Sequence, residues 1–152
     1  MARLFAILAL LFISVSGLVK NTESYRNTDD LFDHVLTGDH KIYVLFFFNS
    51  NDMNAEGNQE LNEHVHHEKT EIAESLEQFD DNVYFTEIDT ATGDFTEALQ
   101  AFTLESENLK TYPATIVLDD SEGIWVTGPN EAHYVVEKIK AWTADRYGAG
   151  LF

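Results

Sequence analysis

The chain contains no cysteine. That single absence removes disulfides, thiolate nucleophiles and cysteine-based metal sites together. It also leaves the redox compartment unreadable from cysteine usage. Positive charge is scarce as well: nine lysines and arginines stand against 27 aspartates and glutamates, for a net charge of −18. Such a surface repels a phosphate backbone, so no nucleic-acid partner is expected. A basic protein partner, or plain solubility, suits the charge better. Internal repeats and low-complexity tracts are missing too. What is present is 44% hydrophobic and 12% aromatic residues over a length of 152. That is enough for one domain with one core, and it argues against disorder.

Only one stretch is long and apolar. Leu4 to Val19 is diluted only by Ser14, Ser16 and Gly17, with Arg3 before it and Lys20 after it. Two readings stay open. A basic start, an apolar middle and the small residues Val15-Ser16-Gly17 suit a secretory leader removed by a peptidase. The same residues suit a retained membrane anchor contacting lipid through 4–19. As a helix they span ~24 Å against a hydrocarbon core of about 30 Å, a mismatch that snorkelling and bilayer thinning can absorb. The chain therefore divides into a hydrophobic N-terminal segment at 1–20, a folded domain at 21–146 and a tail at 147–152.

The folded domain is organised around Lys41 to Asn49, KIYVLFFFN. A continuous β-branched and aromatic run closed by turn-formers predicts a strand buried on both faces. Ahead of it, Thr28 is expected to cap a helix over 29–36 with apolar positions Leu31, Phe32, Val35 and Leu36, ended by Gly38. After it, Leu61, Val65, Ile72, Leu76 and Phe79 form one stripe of a long helix over 57–79. A second strand covers 83–89. A short helix at 95–102 follows Asp94 as its cap. Strands at 115–118 and 124–127 are joined by the loop Asp119–Gly123. A closing helix at 131–146 uses Tyr134, Val135, Ile139 and Trp142.

This order resembles the thioredoxin fold over roughly residues 22–145 of the sequence. Lys110-Thr111-Tyr112-Pro113-Ala114-Thr115-Ile116-Val117-Leu118 looks like the family segment in which a cis proline opens a main strand, and Trp125-Val126-Thr127-Gly128 like the hairpin ending that follows. The resemblance implies an α/β fold with a central mixed sheet flanked by helices, preceded here by the N-terminal hydrophobic helix. It also implies an active loop just after the central strand, where the family carries two cysteines separated by two residues. Those positions fall on Asp52 and Ala55, neither of which forms a thiolate. Thiol–disulfide exchange needs a nucleophilic sulfur, so that activity is excluded. What the resemblance leaves is a scaffold, related to the non-catalytic domains of protein disulfide isomerases, and the family's habit of binding extended chains beside the proline.

His64 and His67, with Glu60, Glu63 and Glu71 on the same helical flank, offer imidazole and carboxylate ligands for zinc or copper. The preferred reading is a solvated face of locally paired Glu and His side chains without a metal, since no strict ligand motif is present. Asp52 reads as a helix cap, and Ser50 has no histidine at a recognisable spacing. Asp119, Asp120 and Glu122 before Gly123 suggest calcium, yet lack the twelve-residue ligand pattern. No catalytic, cofactor or metal site is therefore expected, and no enzyme.

Two functions follow as expectations. The first is a redox-inactive accessory subunit of a multi-subunit membrane complex, above all a mitochondrial respiratory-chain assembly. It would be anchored in the inner membrane, with its acidic domain in the intermembrane space. The second is a soluble module of the endoplasmic-reticulum lumen or secreted fluid that binds polypeptides. Gly150-Leu151-Phe152 carries no retention signal, which weighs against the second.

Overall fold

The computed structural model describes residues 25–79, 82–120 and 122–147. The expected N-terminal hydrophobic helix and the segment 148–152 lie outside them. The described elements are α1 (Thr28–Val35), β1 (Ile42–Phe48), α2 (Ser50–Met53), α3 (Gln59–Ser75, continued by a 3₁₀ turn at Leu76–Gln78), β2 (Val83–Asp89), α4 (Thr96–Ala101), a 3₁₀ turn at Ser106–Lys110, β3 (Ala114–Asp119), β4 (Glu122–Thr127) and α5 (Glu131–Tyr147). The strands form one sheet in the order β2-β1-β3-β4. β1 runs parallel to β2, which the intervening α3 crossover requires, and antiparallel to β3. β3 and β4 form a hairpin.

The unbroken apolar run of β1 has a direct cause. Tyr43, Leu45 and Phe47 enter a core beneath α1 and α4, with Leu31, Val35, Ala98 and Leu99. Ile42, Val44 and Phe46 enter the opposite core beneath α3 and α5, with Leu61, Val65, Ile72, Val135, Ile139 and Trp142. A strand with both faces covered cannot alternate polar and apolar residues.

Several boundaries differ from the sequence expectation. Asn27, not Thr28, caps α1, accepting from Asp30 N at 3.0 Å. Thr28 is instead buried, bonding Asp94 O at 3.3 Å and accepting from Ala98 N at 3.2 Å, which ties α1 to α4. The chains approach so closely there that a Cβ on Gly93 would collide with the Arg26 carbonyl. The hairpin loop is shorter than expected, because Asp119 pairs with Glu122 and both join the strands. Tyr134 is 56% exposed, and the inner face of α5 is Ala132, Val135, Ile139 and Trp142. The small Ala132 occupies the helical spacing that the larger Tyr134 only borders.

Candidate functional site

The position of interest is the carboxyl end of β1, where a central strand delivers the chain to a loop and a helix start. Asp89 at the end of β2 anchors that loop, its Oδ1 accepting from Ser50 N and Ala91 N, each at 3.0 Å. Asn49 caps α2, its side chain accepting from Asn51 N at 3.0 Å and Asp52 N at 3.2 Å. Asp52 is therefore inside the first turn and is not its cap. A nascent helix stops after Met53, and the chain turns through Gly57, whose φ of +86° favours glycine. Asn58 closes the turn, its Nδ2 donating to Asp52 O at 2.7 Å, before α3 begins. Asp52 is half-buried and Ala55 exposed. Neither side chain can transfer electrons.

Across from this turn lies the segment leading to Pro113. A cavity of about 170 Å³ separates the two, lined by Asn58, Glu60, Leu61 and His64 on one side and Lys110, Thr111 and Tyr112 on the other. His64 stacks on Tyr112 with ring centroids 4.3 Å apart, and its Nε2 lies 3.5 Å from Glu60 Oε1. Lys110 pairs with Glu107 at 2.9 Å, and the hydrogen bond and charge of that carboxylate raise its pKa, with a smaller push from Asp52. The walls are polar and carry both signs of charge, a surface that suits contact with another polar chain.

Of the residues singled out from sequence, the structure joins some and scatters others. His64 is drawn onto Tyr112, while His67 stays exposed, so the pair does not converge. Among the described residues, no group of three histidines or acids is placed to hold a metal. Asp120 is occupied by His40, accepting from its backbone N at 3.1 Å and meeting ring Nδ1 at 2.9 Å. That contact clasps the hairpin to the start of β1. The Tyr112–Pro113 bond is trans, where the resembled family has a cis proline. Trans is the lower-energy form of an X–Pro bond by about 0.5–1 kcal/mol. Pro113 O here accepts from Thr127 Oγ1 at 2.8 Å, which fixes the start of β3 to the end of β4.

Sequence reasoning missed two acids just behind this site. Glu68 of α3 is 3% exposed, and Glu131, the first residue of α5, is fully buried. Glu68 accepts from Asn130 N at 3.1 Å and Glu131 N at 3.0 Å, supplying the cap that α5 needs. Glu131 Oε2 sits 2.6 Å from Thr115 Oγ1. Burial pushes the Glu131 carboxyl up to about 9, further helped by the nearby charge of Glu68 and opposed by the Thr115 and Gly128 contacts. The sequence held one clue to Glu68: the apolar stripe of α3 skips a turn between Val65 and Ile72, and Glu68 fills the gap.

With this geometry in view, the chain can be set beside known proteins. No protein-family model matches it, and no curated protein does. Among solved structures it is similar to the germline-specific thioredoxin Deadhead of Drosophila melanogaster, with a TM-score of 0.51 and 15% identity. That match covers 79% of this chain and 98% of the other. It is also similar to chloroplastic thioredoxin z, with a TM-score of 0.50, 13% identity, and coverage of 82% and 98%. At such identities the likeness concerns the fold. The chain thus has a thioredoxin-like α/β fold, a central mixed sheet flanked by helices, and carries no cysteine.

Proposed function

We propose that this chain is not an enzyme and works as a redox-inactive accessory subunit of a multi-subunit membrane complex, its thioredoxin-like domain serving as a docking surface. The observation that carries the reading is the site itself. By the resemblance, Asp52 and Ala55 fall where the family carries its sulfurs, and their hydrogen bonds are those of a turn. A scaffold without a reactive sulfur is left with its surfaces, and the polar cavity beside Tyr112 is a concave surface near this loop. The apolar segment 4–19 supplies the tether to lipid. Among the described residues no helix is long and apolar enough to cross a membrane, so the tether rests on that segment alone. A respiratory assembly of mitochondria suits the acidic domain, which would attract basic carriers in the intermembrane space.

A second reading keeps the same surface and drops the tether: a lumenal or secreted module that holds extended polypeptides. The cavity between α3 and the segment before Pro113 supports it. The two separate on one preparation. Carbonate extraction of membranes from the native source, followed by mass spectrometry of the N-terminus, is expected to leave the chain in the pellet with residues 4–19 intact. A mature chain beginning near Leu18 and released into the supernatant would overturn the anchored reading in favour of the second.

A further inference from the structure

Close to Pro113 along β3, two carboxyl groups share one buried junction, and only one of them has both oxygens hydrogen-bonded. Both oxygens of Glu68 accept backbone N–H groups at the positive end of α5, the arrangement of a carboxylate capping a helix. Glu131 caps no helix, and a single backbone N–H, that of Gly128, faces its carboxyl. Its Oε2 meets Thr115 Oγ1 at 2.6 Å, and its Oε1 is buried without a hydrogen bond. The groups facing it are Glu68 from α3, Thr115 from β3 and the Gly128 N–H from the preceding loop. The neighbours of Thr115 across the sheet are Phe46 on β1 and Val126 on β4, neither of which carries charge. The nearest lysines in sequence are engaged elsewhere, Lys69 with Glu87 at 2.9 Å and Lys138 over the Trp142 ring. Among the described residues no cation is found acting on this carboxyl, and an unpaired buried charge is strongly disfavoured. The neutral acid avoids that cost and still accepts the Thr115 Oγ1–H at Oε2.

We propose that Glu68 and Glu131 form a one-proton latch: the proton on Glu131 seats the first turn of α5 against β3, and its loss releases that turn while the sheet remains folded. The released segment includes Asn130, held at a φ of +68° with its N–H on Glu68, so strain is relieved as it leaves. The latch also reaches the candidate site. Thr115 is two residues beyond Pro113, and Thr127, which bonds Pro113 O, leads directly into the released loop. The inference stands on the junction and not on the proposed function.

Amide hydrogen exchange on the full-length protein tests it, with rates corrected for intrinsic base catalysis between pH 6.5 and 10. Peptides covering 128–136 are expected to exchange about tenfold faster above pH 9 while those covering 42–48 stay protected, the mark of a local opening. Glu131→Gln keeps a neutral side chain and is expected to hold protection in 128–136 across the range. Equal loss in both peptides, or the same alkaline loss in the variant, overturns the latch. A readout on the unaltered protein decides the matter should the variant not fold. Side-chain ¹³C carboxyl spectra are expected to show one glutamate titrating at alkaline pH, and a set in which every glutamate titrates in the ordinary acidic range refutes the proposal.

Discussion

Replacing Glu131 with glutamine is expected to stabilise the fold at neutral pH and to change how stability depends on pH. The carboxyl titrates near 4.5 when unfolded and is pushed up to about 9 by burial in the folded chain. Between those values the folded state holds a proton that the unfolded state has lost. The stability contribution of such a raised group is fully present below pH 4.5 and is lost as pH rises towards 9. Each pH unit in that window costs about 1.4 kcal/mol at most. From pH 5 to pH 8 the upper limit is therefore about 4 kcal/mol, and relaxation of the buried junction trims it to roughly 2–3. Glutamine does not titrate, so urea unfolding of the two proteins should diverge as pH rises, with the variant gaining roughly 2–3 kcal/mol on the native chain. Asp30 and Asp94 are depressed by backbone N–H bonds from Arg26 and Thr96 and lend stability that fades only as pH falls through their lowered values. Both proteins share that effect, so it cancels in the difference. Parallel curves for the two proteins between pH 5 and 8 would refute the reasoning, because they would mean that Glu131 is already ionised in its buried place.

Further perturbations probe the scaffold that positions the site. Phe47→Ala empties the centre of the core beneath α1 and should cost about 3–5 kcal/mol in urea unfolding at constant slope. Gly93→Ala drives a methyl against the Arg26 carbonyl and should lower the melting temperature and loosen the α1–α4 junction, seen as faster exchange of the Ala98 amide. Thr103 is an exposed β-branched residue at a φ of +57°, so Thr103→Gly should gain about 0.5–1 kcal/mol by calorimetry. Asn49→Ala removes the acceptor for two N–H groups of α2 and should cost about 1 kcal/mol, with disorder in 50–58 visible by NMR.

Much of this architecture was legible in the amino-acid sequence because both-sided burial leaves a direct mark. β1 and β2 fall where their apolar runs place them, and the stripe of α3 faces the core as its spacing requires. Errors arose where two neighbouring residues could do the same job. Asn27 and Thr28 are both competent caps, and the tertiary bond of Thr28 to α4 decides between them. The two buried acids were harder to read. A glutamate at the start of a helix ordinarily complements the dipole from solvent, and nothing local distinguishes Glu131 from that common case. Its burial is set by Thr115 and Glu68, far away along the chain, and the cavity likewise needs His64 and Tyr112 to meet across the fold. The lack of sulfur chemistry was directly readable, since cysteine is absent at Asp52, at Ala55 and everywhere else.

The proposal that this domain acts by holding other proteins is tested most directly by native mass spectrometry of the chain purified gently from its native source. The account predicts a multi-protein assembly of fixed stoichiometry that retains the domain through residues 4–19 and its folded surface. A lone monomer carrying a small-molecule ligand, with no protein companion at any detergent strength, would contradict it.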